Sequence, residues 1–118
     1  MPSDDSPILQ VRFFSTDTGA EPVREWLAQL PKSARREIGT DIKTVQLGWP
    51  LGMPTVRKLE RGLWGIRTHL GDTIARVIFS ISGASIVLLH GFIKKSRKLP
   101  AHDLKIAKQR RAQLQVNE

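Results

Sequence analysis

The period of the apolar positions changes along this chain, and each change marks an element. Ile8-Leu9-Gln10-Val11-Arg12-Phe13-Phe14 is β-branched and aromatic, which predicts a first strand. Thr16-Asp17-Thr18-Gly19 supplies turn and cap chemistry. From Ala20 to Leu30, the residues Val23, Trp26, Leu27 and Leu30 follow the i, i+3, i+4, i+7 spacing of one helix face. Pro31 interrupts that pattern. Ser33 is the expected N-cap of a second helix, which carries Ala34, Ile38, Ile42 and Val45 on one stripe and Glu37 in its first turns. Two amphipathic helices with so short a connection predict a helical hairpin.

Two prolines and two glycines within 48–54 end the helical period, and a period of two replaces it. Strands are expected over Val56 to Leu59, Leu63 to Leu70, Thr73 to Ile81 and Ser85 to Ile93. Gly71-Asp72 and Ser82-Gly83 are read as hairpin turns between the last three. Beyond Pro100, Ala101 to Gln115 reads as a basic helix with Leu104, Ala107 and Leu114 on one side. The order implies an α+β fold: a small antiparallel sheet with an N-terminal helical hairpin and a C-terminal helix, the helices lying on one face. At 118 residues the chain fills one domain over 1–118, with 1–7 as a flexible lead-in.

Composition narrows the function classes. With no cysteine, neither a disulfide framework nor a thiolate metal site is available. The opening Met1-Pro2-Ser3-Asp4-Asp5-Ser6 lacks the basic start and apolar middle of a secretion signal. The stretch Ile86 to Ile93 is too short to span a bilayer, so no membrane role and a cytoplasmic location are expected. His69, His90 and His102 fit no usual metal spacing, and no metal or other cofactor is expected.

Charge then points to a partner. Nineteen Lys and Arg against eleven Asp and Glu give +8. The excess is concentrated: Lys94, Lys95, Arg97, Lys98, Lys105, Lys108, Arg110 and Arg111 face only Asp103 within that stretch, and Arg57, Lys58 and Arg61 form a second group. Such a field attracts a polyanion, each neutralised phosphate releasing a counterion. A polyanion, RNA among them, is the expected partner, against the alternative of a basic surface kept for solubility.

Alternation along the strands sorts the cations further. If Trp64, Ile66 and Leu70 face the core, Arg67 and His69 face the other side; Val77, Phe79 and Ile81 leave Arg76 there with Ile78 and Ser80. Two arginines on adjacent strands repel unless an anion lies between them, which suggests a phosphate clamp. The alternative is that each pairs with Asp72, Glu60 or a helix acid. His90 is read either as a general acid or base or as a hydrogen-bonded histidine near the end of a buried strand. Gly91 permits a bulge or a close backbone approach. Lys94 and Lys95 follow where the strand emerges, and are read either as lysines whose pKa is lowered by neighbouring cations or as a solvated basic strand end. Trp49, in its loop, is left open between core and base stacking.

Three stretches carry a family resemblance: Val56-Arg57-Lys58-Leu59-Glu60-Arg61-Gly62-Leu63-Trp64-Gly65-Ile66-Arg67, Ala75-Arg76-Val77-Ile78-Phe79 and Leu88-Leu89-His90-Gly91-Phe92-Ile93-Lys94-Lys95-Ser96. Together they resemble toxins of the RelE/ParE superfamily, in particular the HigB-like toxins and their phage-encoded relatives. The resemblance implies the α+β, microbial-RNase-like fold of that superfamily. It also implies the toxin of a type II toxin–antitoxin system: a ribosome-dependent, metal-independent endoribonuclease that cuts mRNA, with a cognate antitoxin of helix-turn-helix type. Carried over by position, Arg67 and Arg76 would hold the scissile phosphate. Lys94 and Lys95 would contact the attacking or leaving oxygens, and either of them, or His90, would move the proton. Lys58, Arg61, Arg97 and Lys98 would follow the RNA path. Gly65 departs from the pattern, standing where many relatives carry an acid. The alternative within the superfamily is a non-catalytic toxin that binds a protein target such as DNA gyrase.

Overall fold

The computed structural model describes residues 9–94 and 100–117. The lead-in 1–7 and the candidate site residues Lys95, Arg97 and Lys98 lie outside the described residues. The elements run β1 (Gln10–Phe13), α1 (Pro22–Ala28), α2 (Lys32–Gly48), β2 (Val56–Glu60), β3 (Leu63–Leu70), β4 (Thr73–Ser82), β5 (Ser85–Lys94) and α3 (Ala101–Asn117). Every expected element is present. Helix α1 opens with Pro22 in its first turn, where the missing N–H costs nothing. Helix α2 begins two residues earlier than the Ser33 cap would place it. Pro31 occupies the cap position with extended backbone, and its carbonyl accepts the first helical bond, from Arg35 N at 3.0 Å.

The sheet order is β1-β5-β4-β3-β2. Strands β2 to β5 form the expected antiparallel meander, but β1 pairs with β5 in parallel, Gln10 opposite Ser85 and Phe13 opposite Leu88. The sheet is therefore mixed rather than antiparallel. Turn residues report pairings between neighbours in sequence, and β1 reaches its partner across most of the chain, so no turn signal recorded it.

A second correction concerns the layers. The helices do not share one face. Val23 of α1 and Ile38, Ile42 and Val45 of α2 pack against Val56, Ile66, Ala75, Val77, Phe79, Ile86 and Leu88. Ala107 of α3, with Leu104 and Leu114 beside it, packs on the other face against Leu63, Ile78, Val87, Leu89 and Phe92. The central strands are apolar on both sides, which requires cover on both sides. Each fully buried Ile, Leu or Phe contributes roughly 1.5–3 kcal/mol, so a bare second face would be costly.

Trp49 belongs to the α1/α2 side. Its ring meets Trp64 edge-on at 5.1 Å and Phe79 at 5.5 Å, which makes it part of the core rather than a free stacking platform.

One irregularity in β5 positions the site. Ile78 pairs with His90 and Phe79 with Leu88, leaving Leu89 as an extra residue in the ladder. Such a bulge puts two consecutive side chains on the same face and reverses the alternation beyond it. Before it, Ile86 and Leu88 face α1 and α2; after it, His90 and Phe92 face α3 while Ile93 packs on the α1/α2 side. Gly91 then turns toward α1, where a Cβ would collide with the Trp26 ring. The close approach expected of that glycine is this contact.

Candidate functional site

The α3-side face of β2, β3, β4 and β5 gathers four cations. Arg67 and Arg76 are directly opposite in the β3–β4 ladder. Arg57 pairs with Gly65 in the β2–β3 ladder and so shares the face of Gly65 and Arg67. Lys94 pairs with Ile74, two residues from Arg76, and the bulge brings it to the same face. Electrostatics records the proximity: Arg57 and Arg67 both depress the pKa of Arg76, and Arg76, Arg57 and Arg67 all depress that of Lys94. For both groups burial is the larger cause.

Arg76 is the deepest of the four. It is 2% exposed, and its Nε and Nη1 are buried with no hydrogen-bond partner; Arg67 Nε is likewise unpartnered. No carboxylate answers either arginine among the described residues. Glu60, one of the acids that the alternative reading would pair with them, reaches Lys108 at 3.7 Å. An unsatisfied buried donor costs about 1–3 kcal/mol, and two cations directly across a ladder add repulsion. A fold carries such a cluster at a cost unless something anionic enters it.

His90 lies beside this cluster but is fully engaged elsewhere. One ring nitrogen is 2.6 Å from Asp103 Oδ1, and the other is 3.4 Å from Arg110 Nη1, which also donates to Leu89 O at 2.8 Å. Because guanidinium can only donate, Nδ1 is the acceptor and Nε2 carries the proton that Asp103 receives. The ring also stacks on Phe92 at 5.6 Å. Burial, Arg110 and His102 lower its pKa against the opposing pull of Asp103, which keeps the ring neutral near pH 7. These contacts fasten α3 to β5.

The remaining site candidates separate. Lys58 is exposed and pairs with Trp64, which puts it on the face of Val56 and away from Arg67 and Arg76. Arg61 is exposed in the β2–β3 turn. Sequence reasoning placed Arg57 in a basic group but not in the site, although alternation from the apolar Val56 already separated it from Lys58. Asp103 and Arg110 were also passed over. The signal for Asp103 was its being the only acid in the basic C-terminal stretch.

A family model described as phage-derived protein Gp49-like (DUF891) matches residues 25–112. The chain belongs to the Gp49-like family. This family is of the RelE/HigB-like toxin type. The matched span contains Arg57, Arg67, Arg76, Lys94 and the His90–Asp103–Arg110 clasp. No curated protein sequence matches this Gp49-like chain. Among its described residues, no helix is long and apolar enough to cross a membrane.

Proposed function

We propose that this Gp49-like protein is the toxin of a type II toxin–antitoxin pair, a ribosome-dependent mRNA endoribonuclease that works without a metal. The observation that carries the reading is Arg76: a buried guanidinium with two unpartnered donors, opposite Arg67 and next to Lys94, on a face with no answering carboxylate among the described residues. A phosphate is the group whose charge and geometry suit that arrangement.

In this reading the RNA 2′-hydroxyl attacks the adjacent phosphorus, the O2′–P bond forms and the P–O5′ bond breaks. Arg67 and Arg76 stabilise the extra charge on the phosphorane oxygens, and Arg57 holds a neighbouring phosphate. Lys94 is the proton-transfer group: as the amine, which burial and three arginines favour by lowering its pKa, it takes the 2′-hydroxyl proton, and the ammonium so formed returns a proton to the departing 5′-oxygen. His90 acts as the anchor of α3, both its ring nitrogens being occupied. A cognate antitoxin, of the helix-turn-helix kind, would silence the protein by covering the same basic face.

The test is brief induction of wild type and of Arg76→Ala in bacterial cells, followed by mapping of mRNA ends. New ends inside translated codons, lost with the substitution, support the reading. Growth arrest with intact mRNA overturns it in favour of a protein target such as DNA gyrase.

A further inference from the structure

Gly65 lies at the centre of the cationic face. Arg57 is its cross-strand partner, Arg67 follows two residues along the same strand face, and the Arg76 side chain lies over it. A Cβ built on Gly65 would stand 3.2 Å from Arg76 Cδ and 3.4 Å from its Cγ and Nη1. The backbone does not ask for glycine here, since Gly65 is not among the residues of positive φ. Glycine inside a strand is otherwise unfavourable, because it gives up more chain entropy than alanine and packs nothing. The space left by the missing side chain is occupied by the stem of Arg76.

We infer that Gly65 is a positioning residue for the anion site: its bare Cα lets Arg76 lie flat across β3, with the guanidinium recessed among Arg57, Arg67 and Lys94. A Cβ at this position lifts the Arg76 stem by a few tenths of an ångström, which turns its guanidinium out of register with Arg67. This has an unusual consequence. Lifting Arg76 relieves its unpartnered burial, so the unliganded fold gains stability while the anion loses its deepest donor. A glycine kept only for folding shows the opposite sign. The inference rests on the reading that the cluster takes a phosphate, though not on RNA being cut.

The experiment uses the full chain and inorganic phosphate, titrated by calorimetry at ionic strength matched with chloride, for wild type, Gly65→Ala, Arg76→Ala and the double variant. Loss of one charge-assisted hydrogen bond corresponds to about a tenfold weaker phosphate affinity in Gly65→Ala. The unliganded melting temperature of that variant is expected to be unchanged or higher. In the Arg76→Ala background, Gly65→Ala is expected to change phosphate affinity no further. Unchanged affinity in Gly65→Ala, an equal loss in both backgrounds, or no phosphate binding by wild type overturns the inference. If Gly65→Ala alone does not fold, a folded double variant supports displacement of Arg76, and an unfolded one overturns it. The nuclease reading is judged separately by mRNA ends, so either idea can fail without the other.

Discussion

Arg67 and Arg76 face each other across the β3–β4 ladder with no carboxylate between them among the described residues. Opposed like charges are avoided in sheets, and a buried guanidinium ordinarily finds partners. The pair marks a place where stability and use diverge, as expected where a site is built to receive charge from outside.

Replacing Arg76 with Met should therefore stabilise the isolated protein. Methionine fills similar space and has no donors to satisfy, so Arg76→Met is expected to raise the unfolding free energy by about 1–3 kcal/mol. Urea denaturation reads this directly. A fall in the midpoint would mean that the guanidinium is compensated in the free fold.

Arg57 and Lys58 are neighbours in sequence on opposite faces of β2. On a non-cleavable, 2′-deoxy-substituted oligonucleotide, Arg57→Ala should weaken binding and reduce the salt-dependence slope by about 0.7, the value for one lost single-strand phosphate contact. Lys58→Ala should leave the slope unchanged. Fluorescence anisotropy across a salt series separates the two, and equal slopes would remove the face assignment.

Lys94 should make stability depend on alkaline pH. Its folded-state pKa lies below the ordinary 10.5 through burial and then through Arg76, Arg57 and Arg67. Below the folded value the lysine is charged in both states and its penalty is complete. As pH rises from there toward 10.5, the unfolded chain binds more protons than the native one, so stability increases. Urea midpoints measured up to pH 10.5 should climb in wild type and stay flatter in Lys94→Met.

The His90–Asp103 contact should matter for holding α3. A hydrogen bond to a charged group is worth about 1.5–3 kcal/mol, and Asp103→Ala is expected to lower stability by that order. His90 has a lowered folded pKa, so its contribution is complete above 6.5 and is lost as pH falls through the folded value, where the buried ring must charge. His90→Gln should destabilise the fold and abolish that acid limb while still generating mRNA ends. A folded His90→Gln protein without cleavage would make His90 the proton-transfer group instead of Lys94.

The sequence by itself determined the elements and their order, because helix and strand periods are local properties of the chain. Val23, Trp26 and Leu27 had to lie on one helix stripe, and Arg67 and Arg76 had to fall on the side of their strands opposite Ile66 and Val77. Net charge and the basic clusters similarly pointed to an anionic partner without any fold.

What only the tertiary structure decided depended on relations between distant residues. The parallel docking of β1 on β5 and the seat of α3 opposite α1 and α2 join segments with no shared turn. The space above Gly65 is defined by a side chain on another strand. Strict alternation would have put Lys94 on the face of Ile86 and Leu88, beneath α1 and α2. Val87, Leu88 and Leu89 are all apolar and all buried, so the sequence there tolerates either register. The ladder with β4 chose the bulged one, and the extra residue at Leu89 brought Lys94 to the arginines.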